Sequence, residues 1–165
     1  MGLWGTSPFD RGAVADFVGD LEDMADGAER LAAIREALCF AVEETGYLEA
    51  PEGEVALVAA ALVAAGRPGG QPVDEVYGPT EAIAEPSQEL ADLAVRALDR
   101  VLAADSEAAE LWDDSASAPE WRASVDAVRT ALRPASESVR GRAEGQGRRR
   151  PMASGRTAAR DSRRP

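Results

Sequence analysis

Histidine and lysine are both missing from this 165-residue chain. Without histidine, Ser-His or Cys-His catalysis and imidazole metal sites are excluded. Without lysine, so are Schiff-base chemistry and a phosphate loop of the P-loop kind, and Gly66-x-x-Gly69-Gly70 has neither the spacing nor the strand-turn-helix context of one. A single cysteine, Cys39, leaves no internal disulfide and suits a reducing compartment. Aromatic residues make up 5% of the chain, so a core has to be assembled from Ala, Val and Leu. The longest apolar stretch, Val55 to Ala65, falls well short of the roughly 20 residues needed to cross a bilayer. The opening residues have neither a basic start nor an apolar stretch, which argues against a secretory leader. A soluble, cytoplasmic domain that does not associate with membranes is expected.

What is present is acid, unevenly placed. Residues 1–138 hold 28 Asp and Glu against 9 Arg, a net charge of −19, whereas residues 139–165 hold 9 Arg against 2 acids, a net of +7. An acidic body repels nucleic acid and favours basic partners, and a basic tail does the reverse. The tail also loses all aliphatic periodicity and cannot bury enough apolar surface to offset its chain entropy. Two regions are therefore expected: an acidic helical domain over 1–137 and a disordered Arg-rich tail over 138–165.

Within the body the periodicity is helical. A short cap, Met1 to Phe9, is punctuated by Gly2, Gly5 and Pro8 and carries Trp4 and Phe9. Asp10 is placed to cap a first helix reaching about Ala25, with Val14, Phe17, Val18, Leu21 and Met24 as its apolar stripe. Gly27 is expected to break it. A second helix, about Glu29 to Thr45, has Leu31, Ile34, Leu38, Ala41 and Val42 inward and Gly46 as its terminator. Pro51 opens a third, which is apolar on every side through Ala65 and therefore belongs at the centre of a bundle. Gly66 to Glu85, rich in Gly and Pro, reads as a long loop. A fourth helix spans about Ser87 to Ala104. Ser106 is placed to cap a short fifth that carries Leu111 and Trp112. Ser117, Pro119 and Glu120 form a capping-box signature for a sixth ending near Arg133. The expected fold class is all-α, a compact bundle of about six helices with an N-terminal Trp-containing cap.

Candidates for chemistry are few. Cys39, flanked by Leu38 and Phe40 and with no histidine to activate it, reads as a small buried apolar residue rather than a nucleophile. Asp16, Asp20 and Asp23 share one face of the first helix. They could meet a hard cation if another acid such as Glu43 or Glu44 converged on them, and otherwise form a solvated acidic face. Asp113-Asp114 reads as a turn with interhelical caps. Trp4, Trp112 and Trp121 each sit at an element boundary, where they read as core-closing residues rather than partner anchors. The tail arginines suit phosphates, but no aromatic is interleaved for stacking on bases.

The opening Met1-Gly2-Leu3-Trp4-Gly5-Thr6-Ser7-Pro8-Phe9-Asp10 and the following Ala13-Val14-Ala15-Asp16-Phe17 resemble a bacterial family catalogued as domain of unknown function 4259. Gly46-Tyr47-Leu48-Glu49, the alanine-rich third helix, Glu110-Leu111-Trp112-Asp113 and Glu120-Trp121 resemble it too. The resemblance covers about residues 1–133 and makes Trp4, Gly5, Phe9, Asp10, Phe17, Trp112 and Trp121 its signature positions. It implies a small domain with no assigned activity, no known cofactor and no agreed catalytic residues. Family members often carry Asn-Asp after the Phe-Asp step, where this chain has Arg11-Gly12.

The resulting functional expectation is a noncatalytic protein-interaction domain, a partner or inhibitor of a basic protein, with Asp16, Asp20 and Asp23 as its binding face. The alternatives are a metal-assisted carboxylate enzyme and nucleic-acid association through the tail. No catalytic residue, metal site or cofactor is assigned.

Overall fold

Six helices account for the secondary structure in a computed structural model of the chain, which describes residues 11–68 and 85–133. They are α1 (Arg11–Asp23), α2 (Gly27–Glu43), α3 (Ala50–Ala65), α4 (Gln88–Val101), α5 (Glu107–Asp113) and α6 (Ala118–Leu132). The fold is all-α, as expected. The N-terminal cap with Trp4, Gly5, Phe9 and Asp10, the centre of the long loop and the Arg-rich tail lie outside the described residues.

The all-round apolar character of α3 has its expected consequence. Ala56 to Ala64 are buried without interruption, Leu57, Val58 and Leu62 among them. The helix packs against each of the other five. Its small side chains permit that crowding, because short residues let neighbouring axes approach. Gly53 marks a close approach: a Cβ there would stand 3.3 Å from the Cβ of Ala108 on α5. Around this axis α1 buries Val14 and Leu21, α2 buries Ile34 and Leu38, α4 buries Leu90, Leu93, Leu98 and Val101, and α6 buries Trp121, Val125 and Leu132.

Several helix ends differ from the sequence reading. The α1–α2 break falls at Met24–Asp26 and not at Gly27, because Asp26 is the N-cap of α2 and accepts from the Ala28 N–H at 3.0 Å. The C-terminal end of α1 is held by the buried Arg30, whose Nε donates to the Leu21 carbonyl and Nη2 to that of Met24, at 2.9 and 2.8 Å. Gly46 does not terminate α2, which ends at Glu43 with an extended Glu44 as its C-cap. The Gly46 N–H is taken by the Glu44 side chain at 2.7 Å. Ser87 caps α4 as its position suggests, accepting from the Leu90 N–H. Ser106 and Ser117 stand at the N-cap positions of α5 and α6 but make no side-chain cap, so the capping box with Glu120 is not formed. Ser117 has a near-helical ψ of 8°, the α5–α6 connection having wound into turns before α6 begins, and this removes the extended geometry a cap needs.

The two stems of the long loop meet. Gly66 packs against the Pro86 ring, and Arg67 donates to the Gln88 side chain at 2.9 Å.

Candidate functional site

Asp16, Asp20 and Asp23 are exposed along the outer side of α1, as the helical spacing requires. None of the ion pairs among the described residues includes them. Glu43 and Glu44 do not converge on them, and no group of three or more potential metal ligands occurs among the described residues. Phe17, on the same helix, is half-buried against the core. Trp112 and Trp121 are buried, and their rings stack at 5.3 Å and 7°, joining α5 to α6. Asp113 ties the same two helices from outside by accepting from Arg122. Leu111, beside Trp112 on α5, is exposed, whereas Ala108, Ala109 and Trp112 are buried. Cys39 is only partly buried, packed at the edge of the core.

The arginines of the body are turned largely to internal use. Arg35 pairs with Glu89, Arg100 with Asp105, Arg122 with Asp113 and Arg129 with Asp99. Arg30 and Arg67 bond to carbonyls and to a side-chain amide, respectively. Asp16, Asp20 and Asp23 on α1 face solvent.

A second acidic feature was not singled out from the sequence. Residues Gly46 to Glu49 run beside Asp105 to Glu107, and Leu48 and Ser106 form a parallel bridge. The Leu48 N–H donates to the Asp105 carbonyl, and the Glu107 N–H to that of Leu48, at 3.0 and 2.9 Å. Arg100 clamps this junction. Its Nε donates to the Glu44 carbonyl at 3.0 Å, Nη2 to that of Gly46 at 2.6 Å, and Nη1 to the Asp105 carboxylate at 3.0 Å. The Glu107 carboxylate accepts from the Ala50 N–H at 2.7 Å, satisfying one of the free donors at the start of α3. Outside, the half-exposed Tyr47 donates its hydroxyl to Glu110 at 2.8 Å. That hydrogen bond, and then the carboxylates of Glu110, Glu107 and Glu49, push the phenol up from 10.0 to about 12. The sequence signal for this junction was the Gly46-Tyr47-Leu48-Glu49 motif, but its partners lie more than 50 residues away and share no local pattern with it.

A shallow apolar groove opens between α1, α2 and α3. It encloses about 320 Å³ and is lined by Ala13, Ala37, Phe40, Pro51, Glu52 and Val55.

This is an acidic helical domain. The chain belongs to the family "Domain of unknown function (DUF4259)", whose model matches residues 2–124. The match takes in the N-terminal cap and the long loop and stops inside α6. No curated protein and no solved structure matches the chain. No helix among the described residues is long and apolar enough to cross a membrane.

Proposed function

We propose that this domain is a noncatalytic interaction module that binds a basic protein, with Asp16, Asp20 and Asp23 on α1 as its contact face. The observation that carries this reading is the exposure of all three carboxylates in a body whose arginines are largely taken up by internal pairs. A net charge of −19 over residues 1–138 is self-repelling, and a basic partner relieves that repulsion on binding. A binding site of this kind needs no converged acids, whereas a carboxylate enzyme does. The single cysteine suits a cytoplasmic setting.

Charge-driven recognition acts mainly on the association rate and falls with salt. A pull-down from native lysate at low and at high salt is expected to recover a basic protein in the first condition and to lose it in the second. The triple change Asp16→Asn, Asp20→Asn and Asp23→Asn is expected to lower the association rate at least about tenfold at low salt, within the range that electrostatic steering supplies. Unfolding should be unaffected, because all three side chains are exposed. Recovery of salt-insensitive partners alone, or unchanged association by the triple variant, overturns the reading.

A further inference from the structure

We propose that the apolar groove between α1, α2 and α3 receives one large apolar side chain from a helix of the basic partner, whose cations then run along Asp16, Asp20 and Asp23. The inference rests on the proposed recognition of a basic protein and specifies how that partner is read. Ala13, Ala37, Phe40, Pro51 and Val55 give the groove an apolar lining, with Glu52 as its one charged residue. Phe40 is 53% exposed, so about half of the largest side chain in the lining is in water. A volume of about 320 Å³ is at the lower end for a small-molecule pocket and suits one or two side chains. Filling it takes apolar surface of both partners out of water.

Charge selects the occupant. Asp16, Asp20 and Asp23 follow the wall residue Ala13 by three, seven and ten residues, so they share its side of α1. Apolar wall and acidic face thus form one strip, about 15 Å long at the rise of a helix. On the α2 wall, Glu36 and Glu43 stand one turn before and one turn after Phe40, and both are exposed. The arginines of α2 are engaged elsewhere, Arg30 with the last carbonyls of α1 and Arg35 with Glu89 on α4. An apolar anchor framed by lysine or arginine is therefore favoured, and one framed by acids is repelled. The carboxylates recur at the pitch of a helix. A helix laid along α1 sets a cation against each turn while its anchor enters the groove. Cations and anchor act on different steps: the acidic face speeds association, and the buried anchor slows dissociation.

The test uses the full chain and two alanine-based peptides of about 20 residues, long enough to be helical alone. One carries a central Phe with arginines three, seven and ten residues to either side, so that it fits α1 in both chain directions. The other has Ala in place of that Phe. Surface plasmon resonance reads both rates. The Phe peptide is expected to bind at least about tenfold tighter than the Ala peptide, through slower dissociation, as burial of one large side chain provides. Phe40→Ala should erase that preference and leave association and its salt dependence as they were. If Phe40→Ala loses helical circular dichroism, Ala37→Leu, which fills the groove from its own wall, should erase the preference instead. The triple variant Asp16→Asn, Asp20→Asn and Asp23→Asn should slow association of both peptides and keep the preference. Equal binding of the two peptides, or a preference that survives both groove variants, overturns the groove assignment and leaves the acidic face standing. Association that the triple variant does not slow overturns the basic-partner reading, and this inference with it. Sedimentation of the free protein as a dimer that Phe40→Ala dissociates would make a second copy the occupant and overturn the inference as well.

Discussion

Arginine side chains hold this fold together at points where no apolar contact can. Arg30 is buried although it carries a charge, and its guanidinium meets the last carbonyls of α1, which have no helical partner. Arg100 does the same for the α2–α3 and α4–α5 connections. Neither role shows in a hydrophobic stripe, because an arginine counts there as polar and is assigned to the outside. Tyr47 gives the junction a measurable signature. Its hydroxyl is bonded to Glu110, and ionising it would set a phenolate beside a carboxylate. Tyr47 is therefore expected to titrate near pH 12 rather than 10. Because the folded value is raised, the stabilisation is fully present below pH 10 and is lost as the pH rises through 12. Ultraviolet titration in a Tyr77→Phe background isolates Tyr47, and Glu110→Gln should return it toward the ordinary value. An unchanged titration in that variant would mean that the hydrogen bond is not the cause.

At the scale of elements, α3 organises the bundle, and small residues decide how closely its neighbours approach. Gly53 is the sharpest case, with Ala108 of α5 against it. Gly53→Val would add three carbons where even one stands 3.3 Å from a neighbour. Overpacking of that kind costs about 1–3 kcal/mol. A lowered urea midpoint is expected, with part of the loss recovered by Ala108→Gly in the same chain. Equal stability of Gly53→Val and the parent would mean that α5 is not seated on α3 at this point. The stripes of α1, α2, α4 and α6 were legible because amphipathic helices in water must turn one face inward. Helix ends were less legible. Asp26 and Ser87 cap as local chemistry suggests. Ser106 and Ser117 stand where local chemistry suggests caps but make none: the turn before α6 gives Ser117 a near-helical backbone, whereas Ser106 has the extended backbone a cap needs and its hydroxyl still makes no bond to the helix.

For the whole molecule, charge is the dominant property. The 1–138 portion carries a net charge of −19 and the 139–165 portion +7, and charges of opposite sign are screened from each other beyond about 8 Å at physiological salt. Deleting residues 138–165 is therefore expected to leave the melting temperature unchanged at physiological salt, as followed by circular dichroism. A large drop would show that the deleted residues dock specifically and that the boundary at 137 is misplaced. The same screening separates the proposed recognition of a basic protein from binding by shape alone, since the former fades as salt is added.

By itself the sequence determined the class of the fold, the central position of α3, the inward stripes and the family. These depend on local periodicity and composition, which a chain carries wherever it is placed. The junction of Tyr47, Arg100, Glu107 and Glu110 was decided by tertiary structure alone, as were the exposure of Leu111 and Phe40 and the missing caps at Ser106 and Ser117. Each of these joins residues distant in sequence or sets one element's geometry by its neighbour. Such pairings leave no periodic trace, because only the folding of α3 against all its partners brings the groups within hydrogen-bonding reach.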